Sequence, residues 1–355
     1  MLALDGLRLV AALMVCLYHY TGRGGTVSES WHQSPSALFP ALSRASVYGC
    51  LGVQFFFVIS GFVICMSSWG RTLGDFFRSR VSRLYPAYWV ALALVTAASL
   101  VLPVVVPPVR LDEFLVNLTM LQQPMGATRV LGVCWTLWAE VRFYALFALL
   151  VVVRGVTYRR VVLFCAGWTL AVAVCRTTGN ALTDQVLMPE YAPFFVGGLA
   201  LYLVHRFGGN PLLWGIVAVS LLLGQSEATR GLWHPAGHSG LHRDPYVVVL
   251  IVALAFGAVA AVAVGWTRWA SWPWLTTAGA LTYPFYLVHE HLGWFVIRVL
   301  HRALGLPPGA TLGATVLAML VLAWLIHRFV EKPLGRRLKN ALRRTTVPRT
   351  PEPAA

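Results

Sequence analysis

Ten apolar runs follow one another along this chain, and nearly every one approaches the length needed to cross a bilayer. They lie at roughly 6–22, 48–68, 85–103, 131–153, 160–177, 191–206, 211–225, 246–265, 276–300 and 311–330. A spanning helix needs about 20 mostly apolar residues rising about 1.5 Å each. Inside a bilayer every backbone N–H and C=O must be satisfied within the protein, which leaves helices as the economical solution for runs of this length. The expected fold is therefore all-α: a polytopic transmembrane helix bundle of about ten spans, nine or eleven being compatible, with no soluble domain. Composition agrees, because 58% of the 355 residues are hydrophobic and 12% charged, against about a quarter charged in ordinary globular domains. The segment 114–123 is too short and polar to span and is expected in a loop or at the interface. The membrane domain is read as 1–333. The remaining 334–355, basic and then Pro-rich, read as a disordered cytoplasmic tail able to lie on anionic lipid.

The net charge of +15 does not point to nucleic acid. The basic residues lie between apolar runs and in the tail, from Arg336 to Arg349, rather than on one soluble face. With the N-terminus inside, eighteen Lys and Arg fall on the inner side and nine on the outer, with Arg142 inside a span. That bias predicts a multi-pass cell-membrane protein with both termini in the cytoplasm. The tail carries the argument, since without its eight cations the two sides hold ten and nine.

Six cysteines form no disulfide framework or metal spacing, and most lie in or beside apolar runs as small packing groups. No leader is expected, because the first run is preceded by Asp5 and contains Arg8 and His19. His234, His238 and His242 repeat every four residues, but Pro235, Gly237 and Gly240 oppose the helix that a metal face would need, so no metal site is expected.

Ionisable groups inside spans are costly and mark functional candidates. Arg8 and His19 are eleven residues apart, which brings them to within about 20° on one helical face with roughly 16 Å of rise between them. They can line one path; equally, the pattern suits a snorkelling arginine and a histidine in an interhelical contact. Glu140 lies in Trp135–Tyr144 with Arg142 about 200° away round the helix, so its partner must come from elsewhere. His289 follows Pro284, which frees a backbone carbonyl and is a candidate kink. Arg80 and Arg83, three apart before the third span, can fork onto phosphate oxygens or serve only as topogenic charges. With this topology His19 sits in the outer half, Glu140 and His289 nearer the middle.

These segments together resemble the acyltransferase 3 family. Leu4-Asp5-Gly6-Leu7-Arg8 followed by His19 is similar to its opening Arg-x10-His signature, and Phe56–Phe62, with Ser60 and Gly61, to its second-span Ser-Gly-Phe segment. Arg80-x2-Arg83-x2-Pro86 resembles its basic motif, and Trp135–Tyr144 its Trp-Ser-Leu-x-x-Glu stretch, with Thr136 for Ser. Tyr286 and His289 in Tyr-x-Leu-x-His, and Phe329-Val330-Glu331-Lys332-Pro333, resemble the two closing motifs. The family often has an acidic or amide residue after the Glu, where this chain has Val141 and Arg142. Some members add a periplasmic hydrolase-like domain, for which this chain leaves no room.

The resemblance implies transfer of an acyl group, often acetyl, to a hydroxyl of a sugar, envelope glycan or natural product. It makes His19 the catalytic histidine, a general base toward the acceptor hydroxyl; a covalent acyl-histidine relay is the mechanistic alternative. Glu140 would orient His19 or bind the acceptor, and His289 would do the same or assist acid–base work. Arg80 and Arg83 would hold the phosphates of a cytosolic acyl-CoA donor, with Arg8 lining the path, and no tightly bound cofactor is expected. The alternative of another class is a transporter or exporter with a polar intramembrane pathway.

Overall fold

The computed structural model describes residues 1–103, 105–178, 180–232 and 241–344. Among them there are helices and no strands. Nine helices among the described residues are long and apolar enough to cross a membrane. In chain order the principal helices are α1 (Leu2–Leu17), α2 (Gly52–Ser68), α3 (Leu73–Val101), α4 (Cys134–Phe147), α5 (Tyr158–Thr178), α6 (Ala192–Phe207), α7 (Pro211–Leu232) and α8 (Pro245–Ala263). They are followed by α9 (Trp274–Val288), α10 (His291–Ile297), α11 (Pro308–Ile326) and α12 (Lys332–Arg344). Three short helices fill the connection from α1 to α2. The connection from α3 to α4 carries one, Leu111–Asn117, which overlaps the start of the segment 114–123 expected to lie outside the spans.

The expected ninth span, 276–300, is not one helix. It is interrupted between His289 and Glu290, so that α9 and α10 are each too short to cross alone. Pro284 sits within α9 and does not end it. The break falls six residues later, where Glu290 takes φ −68° and ψ −80°. The His289 carbonyl accepts a 2.6 Å hydrogen bond from the Tyr20 hydroxyl. A hydroxyl from another helix thus serves a carbonyl that a continuous helix would pair with the amide four residues on.

α2 and α6 form the centre of the bundle, buried on all sides, whereas the outer helices keep apolar faces such as Leu163, Leu170, Leu250 and Leu254 exposed to the bilayer. Glycine lets the two central helices touch. A Cβ on Gly61 would fall on the Phe195 carbonyl, and one on Gly198 would meet the Val58 carbonyl and lie 2.8 Å from the Phe62 nitrogen. Small residues at a crossing allow this backbone approach, which favours packing where apolar burial alone cannot drive association. Beside it Phe143 stacks on Phe195 (4.3 Å between ring centres) and on Trp168 (5.8 Å).

The chain after the last span is ordered further than its composition predicts. Residues 332–344 form α12 rather than a disordered tail; 345–355 lie outside the described residues. α12 packs along the start of α3. A Cβ on Gly335 would lie 2.9 Å from the Ser82 carbonyl, the carbonyl left without its helical donor because residue 86 is proline. The tertiary partner supplies what composition alone did not reveal. The starts of α1, α3 and α12 consequently lie at one end of the bundle, where Arg8 and Arg83 line the same cavity.

Candidate active site

α1 does not continue regularly to the first histidine. At Tyr18–Gly22 it widens into a π turn that carries His19. Such one-turn insertions recur at functional sites because they re-aim side chains. Side chains hold this turn: the Trp31 indole donates to the Tyr20 carbonyl at 2.9 Å, and the Trp294 indole to the His19 carbonyl at 3.1 Å. The Thr21 hydroxyl reaches the Leu17 carbonyl and the Ser46 hydroxyl, both at 2.8 Å.

The π turn faces the break between α9 and α10. His19 Nδ1 lies 3.1 Å from Oε1 of Glu290, whose side chain is 6% exposed. Arg23, one turn beyond His19, places Nη1 3.2 Å from the same oxygen and 3.4 Å from His19 Nδ1. Its guanidinium also lies 5.6 Å from the Trp294 ring centre. The rings of His19 and His289 are 5.3 Å apart. His289 is fully buried, with Nδ1 2.9 Å from the Tyr286 carbonyl and Nε2 lacking a protein partner among the described residues. Its geometry makes Nδ1 the N–H donor. On the far side of Glu290, His291 places Nδ1 2.9 Å from the Val130 carbonyl. Gly132 leaves room for the carboxylate; any Cβ there would strike it. The charge of Glu290 is thus buried but paired, as burial of a carboxylate requires.

A second polar region occupies the other end. Arg8, Arg80, Arg83, Ser60, Glu140 and Tyr144 line a cavity of about 100 Å³ that extends to Thr136 and Tyr286. The Tyr144 hydroxyl donates to Glu140 Oε2 at 2.9 Å. Arg8 lies 3.7 Å from Asp5, and Arg80 donates to the Ser67 hydroxyl at 3.2 Å. Thr136 and Tyr286 separate this cavity from the histidines. Their hydroxyls are 3.0 Å apart, and the Tyr286 ring lies 5.5 Å from that of His289.

The candidates from the sequence are therefore divided between two compartments. His19 and His289 meet at one; Arg8, Arg80, Arg83, Ser60 and Glu140 meet at the other; Tyr286 stands between. Gly61 serves the crossing of α2 and α6. Glu140 does not orient His19. It bonds to Tyr144, and Glu290 makes the His19 contact that was one of the two roles expected of Glu140, the other being to bind the acceptor. Glu290, Arg23, Tyr20 and Trp294 complete the site and are not among the residues that the sequence singles out. Glu290 carried a usable signal, a carboxylate inside an apolar run. Arg23 read as a loop charge, and the indole and phenol donors have no pattern at all. His242 is exposed, while His234 and His238 lie outside the described residues.

Fold and site together define a polytopic membrane protein with a buried histidine–carboxylate centre and a separate arginine-lined cavity. The family model described as an acyltransferase domain, acyltransferase 3, matches residues 1–328, and the chain belongs to that family. It is an acyltransferase. It is similar to acyltransferase MdmB of Streptomyces mycarofaciens, 28% identical over 391 aligned positions that cover 99% of this chain and 95% of the relative. It is also similar to exopolysaccharide production protein ExoZ of Rhizobium meliloti, 29% identical across 81% of this chain and 90% of the relative. No solved structure matches the chain.

Proposed function

We propose that this enzyme transfers a short acyl group, acetyl in the simplest case, from acyl-CoA to a hydroxyl of a sugar, envelope glycan or natural product. One relative is named for exopolysaccharide production, which favours a saccharide-like acceptor. The observation that carries the reading is the His19–Glu290 pair at 3.1 Å, set apart from an arginine-lined cavity by the Thr136–Tyr286 contact.

Glu290 accepts from His19 Nδ1–H and so keeps the lone pair on Nε2, the tautomer that a general base requires. The acceptor oxygen attacks the thioester carbonyl carbon while its proton passes to His19 Nε2. As the tetrahedral centre collapses the C–S bond breaks, and the proton on Nε2 goes to the departing thiolate, giving ester and free coenzyme A. Arg80 and Arg83 hold donor phosphates at the cytoplasmic end, Arg8 lines the path, and the pantetheine arm spans the cavity. Both termini lie in the cytoplasm, and the histidine centre opens toward the outer side, where the acceptor arrives.

The test is turnover by the purified protein in detergent, with acetyl-CoA and hydroxyl acceptors, read by mass spectrometry of the product. Ester formation without any membrane gradient is expected, and His19→Ala should reduce it to near background, a loss of about 10² to 10⁴. A His19→Ala protein that keeps most of its turnover refutes the chemistry.

A further inference from the structure

A groove of about 320 Å³ lies apart from both compartments of the acyl-transfer site, between α5 and the end of α4 with the π turn Ala148–Val152 that follows it. Its lining is apolar except for Arg160. On α5 the lining residues Arg160, Phe164, Gly167 and Ala171 recur at helical spacing and fall within a sector of about 60°. The lining passes from the exposed Leu150 and Leu163 to the buried Phe164 and Trp168, so one side of the groove opens to the bilayer. A Cβ on Gly167 would meet nothing within 4 Å, which makes the middle of the groove open space rather than a seat for a neighbouring helix.

The two ends differ. Trp168 is the midpoint of α5, and its indole donates to the Leu187 carbonyl at 2.8 Å. Leu187 also lines the groove, so protein closes it near the middle of the bilayer. From Arg160 to Ala171 the helix rises about 16 Å, roughly one leaflet of a hydrocarbon core about 30 Å thick. At the open end Arg160 is exposed, but its guanidinium is held in place. Its Nη1 donates to the carbonyls of Arg154 and Gly155, the latter at 2.7 Å. No carboxylate among the described residues lies within 4.0 Å of it, and Nε and Nη2 make no hydrogen bond among those residues.

We propose that this groove binds one anionic phospholipid, with an acyl chain along Phe164, Gly167 and Ala171 and the phosphate on Arg160. The lipid belongs to the leaflet at the start of α5, the cytoplasmic one in the proposed topology. A chain confined to one leaflet suits a groove that ends near mid-bilayer; a longer polyprenyl chain would be stopped at Leu187. A guanidinium already held by two carbonyls presents its remaining donors to phosphate oxygens in a fixed direction. Net negative charge on the lipid adds attraction to a basic group that no protein anion neutralises. The inference is independent of the donor and acceptor chemistry, and its test reads binding rather than turnover.

The experiment titrates the full-length protein in detergent with dimyristoyl-phosphatidylglycerol and with dimyristoylglycerol, which has the same chains and no phosphate. Bound lipid is read by native mass spectrometry. The phospholipid should bind more tightly by about tenfold, the effect of one charge-assisted contact. Dimyristoyl-phosphatidylcholine, whose phosphate is offset by its own cation, should lie between the two. Arg160→Gln should reduce the preference to less than about threefold with little change toward the diacylglycerol. Gly167→Leu fills the groove without striking a neighbour and should weaken all three lipids by about tenfold, because displaced methylenes lose their burial. Gly167→Ala, a smaller intrusion, should do so in part and serves if the leucine protein does not fold. Equal affinity of the parent protein for phosphatidylglycerol and diacylglycerol overturns the inference, and parity of phosphatidylcholine with phosphatidylglycerol overturns its anionic part. A preference that Arg160→Gln removes while Gly167→Leu leaves every affinity intact also overturns it, since the chain then lies elsewhere. So does a Gly167→Leu protein that keeps its lipid but falls to a smaller oligomer, since that assigns the groove to a second copy of the chain.

Discussion

Replacing Glu290 by glutamine is the substitution that separates this site from the one suggested by sequence alone. The amide preserves size in a place where Gly132 has been kept bare for the carboxylate, so packing should hardly change. Its electrostatic effect is large. The carboxylate serves His19 at 3.1 Å and Arg23 at 3.2 Å through one oxygen. A hydrogen bond to a charged group contributes about 1.5 to 3 kcal/mol, and leaving a buried charge unpaired costs about 3 to 5 kcal/mol. Glutamine also presents an N–H to His19 Nδ1 as readily as an oxygen, which favours the tautomer with the proton already on Nε2. General-base catalysis should then be lost by about 10² to 10³ in kcat. The donor KM should move by less than about threefold, because the arginines are in the other compartment. Glu140→Gln is the control: it removes the negative charge that accepts from the Tyr144 hydroxyl in the arginine-lined cavity and, if that cavity holds the donor, should raise the donor KM more than it lowers kcat. The assay is steady-state acetyl transfer in detergent with circular dichroism of each variant. If Glu290→Gln keeps more than about a third of kcat while Glu140→Gln abolishes it, the assignment of Glu290 to His19 is wrong.

Further outcomes follow from the same geometry. Arg80→Ala and Arg83→Ala should weaken donor binding by about ten- to a hundred-fold in a direct titration, with lysine an incomplete replacement; unchanged affinity in the folded double variant would make them topogenic only. A cysteine at exposed Gln123, in a background without native cysteines, should react with an impermeant thiol reagent in intact cells, and one at Asn340 should not; the reverse pattern inverts the proposed topology. Gly198→Val places a Cβ against the Val58 carbonyl and the Phe62 nitrogen, so it should destabilise the bundle by about 1 to 3 kcal/mol. An unperturbed melting temperature in detergent would show that α2 and α6 are free to separate there.

The apolar runs announced the architecture because membrane crossing imposes a length on each helix that can be counted. The count strays at 276–300, where the interruption depends on a hydroxyl contributed by Tyr20, 269 positions away. His19, His289 and the arginines were legible because charge inside an apolar run is costly and therefore conspicuous. Which carboxylate serves His19 was not legible, because spacing along one helix says nothing about which helices are neighbours. Extrapolating α1 as a regular helix also misplaces His19, since the π turn at Tyr18–Gly22 alters the rotation at the residue in question. The tail shows the opposite failure: its composition suggested disorder, and the contact of Gly335 with α3 supplies the order.

The histidine centre is assembled where two helices have each given up part of their own backbone ladder. The carbonyls of His19, Tyr20 and His289 are held instead by Trp294, Trp31 and Tyr20. The backbone of the site is therefore only as well defined as three aromatic side chains allow, and none of the three is a reacting group. Tyr20→Phe removes a single oxygen and touches neither imidazole, yet it withdraws the donor that holds the His289 carbonyl at the break. Precision at the histidines is in this sense borrowed from the aromatic packing around them. A bundle that keeps both histidines and both carboxylates but loses these donors would retain every chemical group without the backbone that aligns them.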